Sequence, residues 1–242
     1  MENDHTNFYE KDIRELKEGL TPFPENIFVA DQAWLSNYVL PLISVDLGIL
    51  WPDLKGTVIH LLNPTEPNEG VIGEKTTDFY TEFCTENWLA FRLTEDNQYA
   101  FLGKEEYFLS APKHQDAIDA DFTEHIKTIR DNYQRTKARF KMTGRLLPWQ
   151  EDNPQSFLDT LGGELWEGNW TFMAPVPPAF EMNVDDSGED LPNDGISMTY
   201  QGKEFRYVGE VSGYNYCGEG ADAILLFYEP ESRMVLFTYD WT

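Results

Sequence analysis

The chain has 242 residues, with 43 acidic against 18 basic side chains and a formal net charge of −25. A surface this acidic repels nucleic acid and anionic lipid, and it accelerates encounter with basic proteins. With 41% hydrophobic and 14% aromatic residues the chain is typical of a globular protein. Its apolar runs are shorter than the ~20 residues that a membrane helix needs. Composition therefore predicts a globular protein that binds neither nucleic acid nor membrane.

The N-terminal stretch, residues 1–20, begins acidic and lacks an apolar segment, which predicts no secretory signal and a cytoplasmic protein. Cys84 and Cys217 lack a CxxC spacing, so we expect two buried thiols and neither a disulfide framework nor a metal knuckle. The four histidines show no HExxH spacing, and GxSxG, GxGxxG and GxxxxGK motifs are absent. We predict no cofactor and no metal, and we favour a protein that is not an enzyme.

The N-terminal third is predicted to be helical. Residues 7–19 carry Ile13 and Leu16 at helical spacing before Leu20, and Gly19 ends the pattern. A second helix is expected from Asp31 to the residue before Pro41. Residues 42–51 fit either a strand or a buried helix.

Several short strands are predicted after that. They cover residues 57–62, 88–93, 98–102 and 107–110, separated by turn-forming segments. The half that precedes residue 112 is thus expected to combine helices with a meander of strands.

The clearest helix pattern in the chain lies at residues 112–142. Phe122, Ile126, Ile129 and Tyr133 recur at three- and four-residue intervals. Acids come early and bases late, the order that the helix dipole favours. The bases form a contact strip for an acidic partner or, as we favour, neutralise the acidic side chains of the same chain.

After a linker at residues 145–154, a short helix is predicted from Asn153 to Gly162, with Pro154 at its first position. Residues 196–200 should form a tight hairpin with the strand at 205–211 through a turn at residues 200–203. Further strands are predicted at 205–211, 222–228 and 233–241. The last two have no polar alternation, so we expect both of their faces to be covered and expect removal of the last eight residues to leave an insoluble chain.

Two loops supply the candidate partner-binding residues. The loop at residues 185–195 is the most acidic segment, but its spacing does not match a twelve-residue calcium loop. The loop at residues 212–221 adds glycines and tyrosines between two strands. The candidates are Asp185, Asp186, Glu189, Asp190, Asp194, Tyr214 and Tyr216.

Residues 145–242 resemble a known family. Leu161-Gly162-Gly163, a proline-rich segment at 175–178, and a glycine-containing loop that leads to GADAILLFY at 220–228 and a last strand are similar to the YwqG-like family of uncharacterised bacterial proteins. Members of that family carry Trp-Gly-Asp before the penultimate strand, where this chain has Gly220-Ala221-Asp222. The resemblance implies a mixed α+β fold of antiparallel sheets and supplies no catalytic residue.

The fold we predict is α+β and mainly antiparallel, with N-terminal helices and a long central helix. It forms a single compact domain over 1–242, or two halves, 1–144 and 145–242. The favoured function is a cytoplasmic acidic protein that binds a basic partner, with a bacterial immunity protein against a basic toxin as its specific form. The alternatives are a hydrolase that uses carboxylates, and a regulatory or structural module without a small ligand.

Overall fold

The structure, a computed structural model, describes residues 8–148, 153–185, 187 and 191–241. Of the described residues about 27% are helical, with 3-10 segments included, and 31% are strand, mainly in antiparallel sheets. The strands of the described residues are β1 Tyr9–Ile13, β2 Leu20–Pro22, β3 Val39–Asp46, β4 Val58–Pro64, β5 Trp88–Leu93, β6 Tyr99–Phe101, β7 Leu158–Gly162, β8 Phe180–Val184, β9 Ile196–Tyr200, β10 Lys203–Glu204, β11 Arg206–Val211, β12 Ala223–Glu229 and β13 Met234–Asp240. The α-helices are α1 Ala120–Thr143 and the single turn α2 Tyr214–Cys217.

The largest sheet has seven strands in the order β1-β7-β11-β12-β13-β5-β6. Every residue of β12 and β13 is buried, because each strand has a neighbour on both sides and both faces of the sheet are covered. Leu226 of β12 lies opposite Phe237 of β13. The three predicted C-terminal strands are therefore confirmed. Strands from both sides of residue 144 share this sheet.

Two smaller sheets, β2-β3-β4 and β10-β9-β8, complete the strand framework. The turn predicted at residues 200–203 is found, with Gln201 and Gly202 both at positive φ as a two-residue turn requires. The predicted partner strand is wrong, because β9 pairs with the short strand β10 and β11 belongs to the large sheet. The stretch at residues 42–51 is strand as far as Asp46, and a 3-10 turn follows at Leu47–Ile49.

The predicted N-terminal helices are wrong. Residues 9–13 form β1, which pairs with β7 through Ile13 and Leu158. Ile13 is buried, but Leu16 is 42% exposed, so the helical spacing does not define a buried face. Of the second predicted helix only the 3-10 segment Ala30–Asn37 exists, because the chain enters β3 at Val39.

Two further secondary-structure predictions, one of a strand and one of a helix, are also wrong. The strand predicted at 107–110 is replaced by a 3-10 turn at Glu105–Tyr107. The helix predicted from Asn153 is instead the strand β7, which lies between β1 and β11. Pairing with two neighbouring strands outweighs the local helix signals of Pro154 and Gly162, since both strand edges of β7 gain hydrogen bonds.

The long helix is shorter than predicted. Pro112–Ala117 forms a separate 3-10 segment, and Ile118 is extended. α1 begins after Asp119, whose carboxylate accepts the N–H of Phe122, and it ends at Gly144 with φ +67°. The expected arrangement of N-terminal helices with a long central helix is thus not found.

The bases of α1 bind groups of the chain itself. Lys137 pairs with Glu25 at 2.8 Å, and Arg130 donates to the carbonyl oxygens of Ser36 and Asn37. Tyr133 donates to the carbonyl oxygen of Pro41 at 2.6 Å. These contacts support the interpretation that the basic strip stabilises its own protein.

Both cysteines are buried free thiols, as predicted. Burial raises the pKa of the Cys84 thiol to about 12. None of the helices in the described part of the chain combines the length and hydrophobicity needed to cross a membrane.

His60 of β4 is buried and neutral. Its Nε2–H donates to the carbonyl oxygen of Asn97 at 2.8 Å, so Nδ1 accepts from the hydroxyl of Ser44 at 2.7 Å. Burial lowers the pKa of His60 from 6.5 to about 4. Protonation therefore favours the unfolded chain.

This burial predicts a pH dependence of stability. Above pH 6.5 the contribution of His60 is complete, and it is lost as the pH falls towards 4, by about 3 kcal/mol in all. Urea unfolding at a series of pH values should therefore show a shallower acid slope in His60→Gln than in the wild type. Ser44→Ala, which keeps the imidazole, should lower stability while retaining the slope. Parallel wild-type and His60→Gln curves would contradict the assignment.

Candidate functional site

The predicted partner-binding residues do not form one site. Asp185 and Asp194 are both exposed, and each carboxylate accepts a backbone N–H, from Ser187 at 2.9 Å and from Glu167 at 2.9 Å respectively. Asp186, Glu189 and Asp190 lie outside the described residues. The loop at residues 185–195 contributes to one cavity, and the loop at residues 212–221 contributes to a different one.

The two tyrosines have opposite environments. Tyr214 is 41% exposed. Tyr216 is fully buried, donates to the carbonyl oxygen of Phe157 at 3.0 Å and packs against the ring of Phe23. The prediction that Tyr216 contacts a partner is corrected accordingly, because a side chain in the core cannot reach a surface.

Tyr214 lies in a groove that the sequence does not reveal. Two cavities, of about 260 and 330 Å³, adjoin at the segment 67–69, which lines both. The first extends towards the start of α1, and the second towards α2 and Trp241. We call the two together the acidic groove.

Carboxylates dominate the charge of the acidic groove. Its lining includes Glu66, Glu69, Glu74, Asp119, Asp121, Glu219 and Asp222. Lys75 is its one lysine or arginine among the described residues. A concave surface with so many charges of one sign concentrates field lines and attracts cations.

Two of these carboxylates have structural roles. Asp119 caps α1. Glu66 is buried and accepts the N–H of Leu109 at 2.7 Å and both the N–H and the hydroxyl of Ser110. Burial raises the pKa of Glu66, and these hydrogen bonds oppose that shift. Together they fix the wall of the groove between the end of β4 and the start of α1.

The second cavity carries the aromatic side chains of the groove. Trp241 is held by a hydrogen bond of 2.8 Å from its Nε1 to Asn87 Oδ1. His125 Nδ1 lies 3.3 Å from Glu219 Oε2, and burial lowers the pKa of His125. The imidazole is therefore neutral at pH 7, and it leaves the negative charge of the groove uncompensated.

The loop that presents Tyr214 is held by a close approach of glycines to β4. Side chains at Gly213 or Gly220 would place a Cβ 2.5 or 2.7 Å from Asn63 Oδ1. Gly220 also has φ +125°, a conformation that favours glycine. The glycines of the loop at residues 212–221 therefore allow this loop to pack closely against β4, and that contact fixes the position of α2.

Two mostly buried carboxylates lie elsewhere, on β7 and β11. Glu210 Oε2 accepts from Trp166 Nε1 at 2.7 Å and from the hydroxyl of Tyr207 at 3.0 Å. Asp159 accepts from the N–H of Ser212 at 2.7 Å and from the amide of Asn215 at 2.8 Å. Burial raises the pKa of both carboxyls. Their hydrogen bonds connect strands and loops, which is a structural use of buried acids.

Metal ligands do not cluster in the described part of the chain: no three His, Cys, Asp or Glu side chains lie where they could share an ion. Comparison with protein-family models, with curated proteins and with solved structures gives no match. The resemblance to the YwqG-like family therefore stays a prediction.

Proposed function

We propose that this protein binds a basic protein partner through the acidic groove. The observation that carries the proposal is the lining of the groove, which in the part of the chain that the structure describes combines seven carboxylates and one lysine with the aromatic side chains of Tyr214 and Trp241. Arginine and lysine side chains of a partner fit such a surface, because they gain carboxylate contacts and can stack on an aromatic face.

The overall charge supports the same function. A net charge of −25 steers a basic partner towards the protein from a distance, and the groove then provides the specific contacts. In its specific form, the proposed activity is that of an immunity protein in the cytoplasm, which covers the basic active site of a toxin such as a nuclease. Capture of that kind depends on a fast association rate, which electrostatic steering supplies.

The groove proposal predicts a local effect of charge. A variant with Glu69→Gln, Glu74→Gln and Asp121→Asn removes three exposed carboxylates of the groove. We expect it to bind a short peptide rich in lysine and arginine about tenfold more weakly than the wild type. The three ion pairs with the peptide together contribute about 1.4 kcal/mol, which corresponds to that factor. Isothermal titration at low and at physiological salt measures this difference.

The matched control changes the same net charge at other exposed positions, with Glu15→Gln, Glu18→Gln and Asp53→Asn. It should bind the peptide within about twofold of the wild type, because only long-range steering is reduced. Equal weakening in both variants would show that net charge alone attracts the peptide, and it would overturn the groove as the site. A basic protein captured from a cell lysate by the wild type and the control, but not by the groove variant, would identify the natural partner.

A further inference from the structure

A third cavity, of about 440 Å³, lies at β11 and the hairpin of β9 and β10. In the part of the chain that the structure describes, it shares no lining residue with the acidic groove. Its volume falls within the range of about 300–1,000 Å³ that small-molecule sites occupy. We call it the tryptophan cavity, after Trp51 in its wall.

Part of the wall of the tryptophan cavity is built from aromatic side chains of the core. Four of its rings belong to core residues and are at most 8% exposed: Trp51, Phe205, Tyr207 and Phe227. Phe227 and Tyr207 face one another across β11 and β12 with ring centroids 5.7 Å apart. A flat apolar molecule fits against such side chains without loss of their rotamer freedom, because the core already holds them.

Trp51 leaves one hydrogen bond unmade. The side chain is 5% exposed, yet among the described residues no acceptor lies within hydrogen-bonding distance of its Nε1–H. A buried donor without an acceptor costs about 1–3 kcal/mol. Trp88 and Trp170, which are also buried, show the usual pattern, since both donate to carbonyl oxygens. A ligand that carries a hydrogen-bond acceptor would satisfy the Nε1–H of Trp51.

Arg206 supplies the charge beside that donor. Its guanidinium carbon lies 5.2 Å from the centre of the Trp51 ring, and its side chain also lines the cavity. A guanidinium carries five N–H donors in a fixed plane, which suits the two oxygens of a carboxylate. The indole N–H and the guanidinium thus form a pair of donors in one wall.

The acids that line the cavity are either engaged or exposed to water. Glu229 is buried and accepts the N–H groups of Glu231 and Ser232 together with the Ser232 hydroxyl. Glu231 forms an ion pair with Lys203 at the rim. Glu204 is exposed to solvent. The guanidinium of Arg206 lies against the Trp51 ring and lines the cavity, which places its N–H donors beside the aromatic side chains.

We propose that the tryptophan cavity binds a planar aromatic carboxylate, with its rings against Phe205 and Phe227 and its carboxylate between Trp51 Nε1–H and Arg206. This site is independent of the proposed basic partner. It also responds to salt in the opposite direction: the net charge of the protein repels an anion, so screening by salt strengthens ligand binding, whereas it weakens binding of a basic peptide.

The test uses 2-naphthoate as the probe and neutral 2-naphthalenemethanol for comparison. Titration of the full chain should give saturable binding of 2-naphthoate that is about tenfold tighter than that of the alcohol. In a proton–nitrogen NMR spectrum, one of the indole N–H signals of the seven tryptophans should move downfield as its proton gains an acceptor. Loss of that signal in Trp51→Phe assigns it, and contacts to Arg206 assign it in the wild type if the variant does not fold.

Two variants separate the donors. Trp51→Phe keeps a ring but removes the N–H and should weaken 2-naphthoate binding about tenfold. Arg206→Gln should remove the preference for the carboxylate over the alcohol. Lys113→Gln, which removes an exposed positive charge outside the lining of the cavity, is the control and should change the affinity less than about twofold.

Two results would overturn the proposal. One is the absence of saturable 2-naphthoate binding at millimolar concentration to the wild type. The other is binding that moves no indole signal and is equal in Trp51→Phe and Arg206→Gln. Either result leaves the acidic groove and its peptide experiment unaffected.

Discussion

A chain that lacks residues 235–242 is expected not to fold. These residues include nearly all of β13, which lies between β12 and β5 in the seven-stranded sheet. Their loss removes two ladders of backbone hydrogen bonds and exposes the apolar faces that Val235, Leu236 and Phe237 cover. Each such side chain contributes about 1.5–3 kcal/mol by its burial, and with the lost hydrogen bonds the total is comparable to the whole free energy of unfolding of a domain, about 5–15 kcal/mol. The truncated chain should be insoluble or show no cooperative melting transition.

Phe237→Leu is the control for that truncation. It keeps the strand and its hydrogen bonds and changes the packing against Phe91 and Tyr99, whose ring centroids lie 5.7 and 6.3 Å away. We expect a folded protein that is less stable by about 1–2 kcal/mol, measured by thermal unfolding. A soluble truncated chain that melts cooperatively would show that β13 is dispensable and would refute its central position.

Gly209→Ala is expected to cost about 4 kcal/mol or more of folding free energy. Gly209 has φ +150°, a backbone conformation that residues with a Cβ rarely adopt, at an irregularity in the pairing of β11 with β12. A Cβ there would also collide with the carbonyl oxygen of Thr160 and lie 3.2 Å from the Cα of Leu161. Both are backbone atoms of β7, so neither can move without disturbing the sheet.

Gly202→Ala separates conformation from collision. Gly202 has φ +75°, but no atom lies within 4 Å of the added Cβ. Only the backbone cost remains, so we expect a loss of about 1 kcal/mol. Urea unfolding of both variants measures the difference. If the two losses were equal, the close approach of β11 to β7 would not be present in solution.

The middle of the large sheet is predictable from the sequence because its strands are buried on both faces. β12 and β13 are continuous apolar segments, which few other structures produce at that length. The edges are harder to predict. β1 has only Ile13 buried, so its pattern carries little information about pairing, and two chance apolar neighbours suggest a helix.

The acidic groove could not be predicted from local patterns. Its residues come from the 66–76 loop, the start of α1 and the segment that contains α2, which are far apart in sequence and meet only in the fold. In a chain with 43 acids no single carboxylate stands out. The position of Tyr214 in a loop identifies it as a candidate, but the same reasoning also selects Tyr216. The two differ in the direction of their side chains from a helical turn that the sequence does not predict.

The strand order of the large sheet also bears on how the protein is made. β5 and β6 are synthesised well before their neighbour β13, because β7 to β12 all lie between them in the sequence. Until then β5 has one unpaired edge, which is the kind of surface on which nascent chains associate with one another. Chains that share a large negative charge repel each other during that interval. We therefore expect the acidic composition to reduce association of unfinished chains as well as to shape the surface of the folded protein.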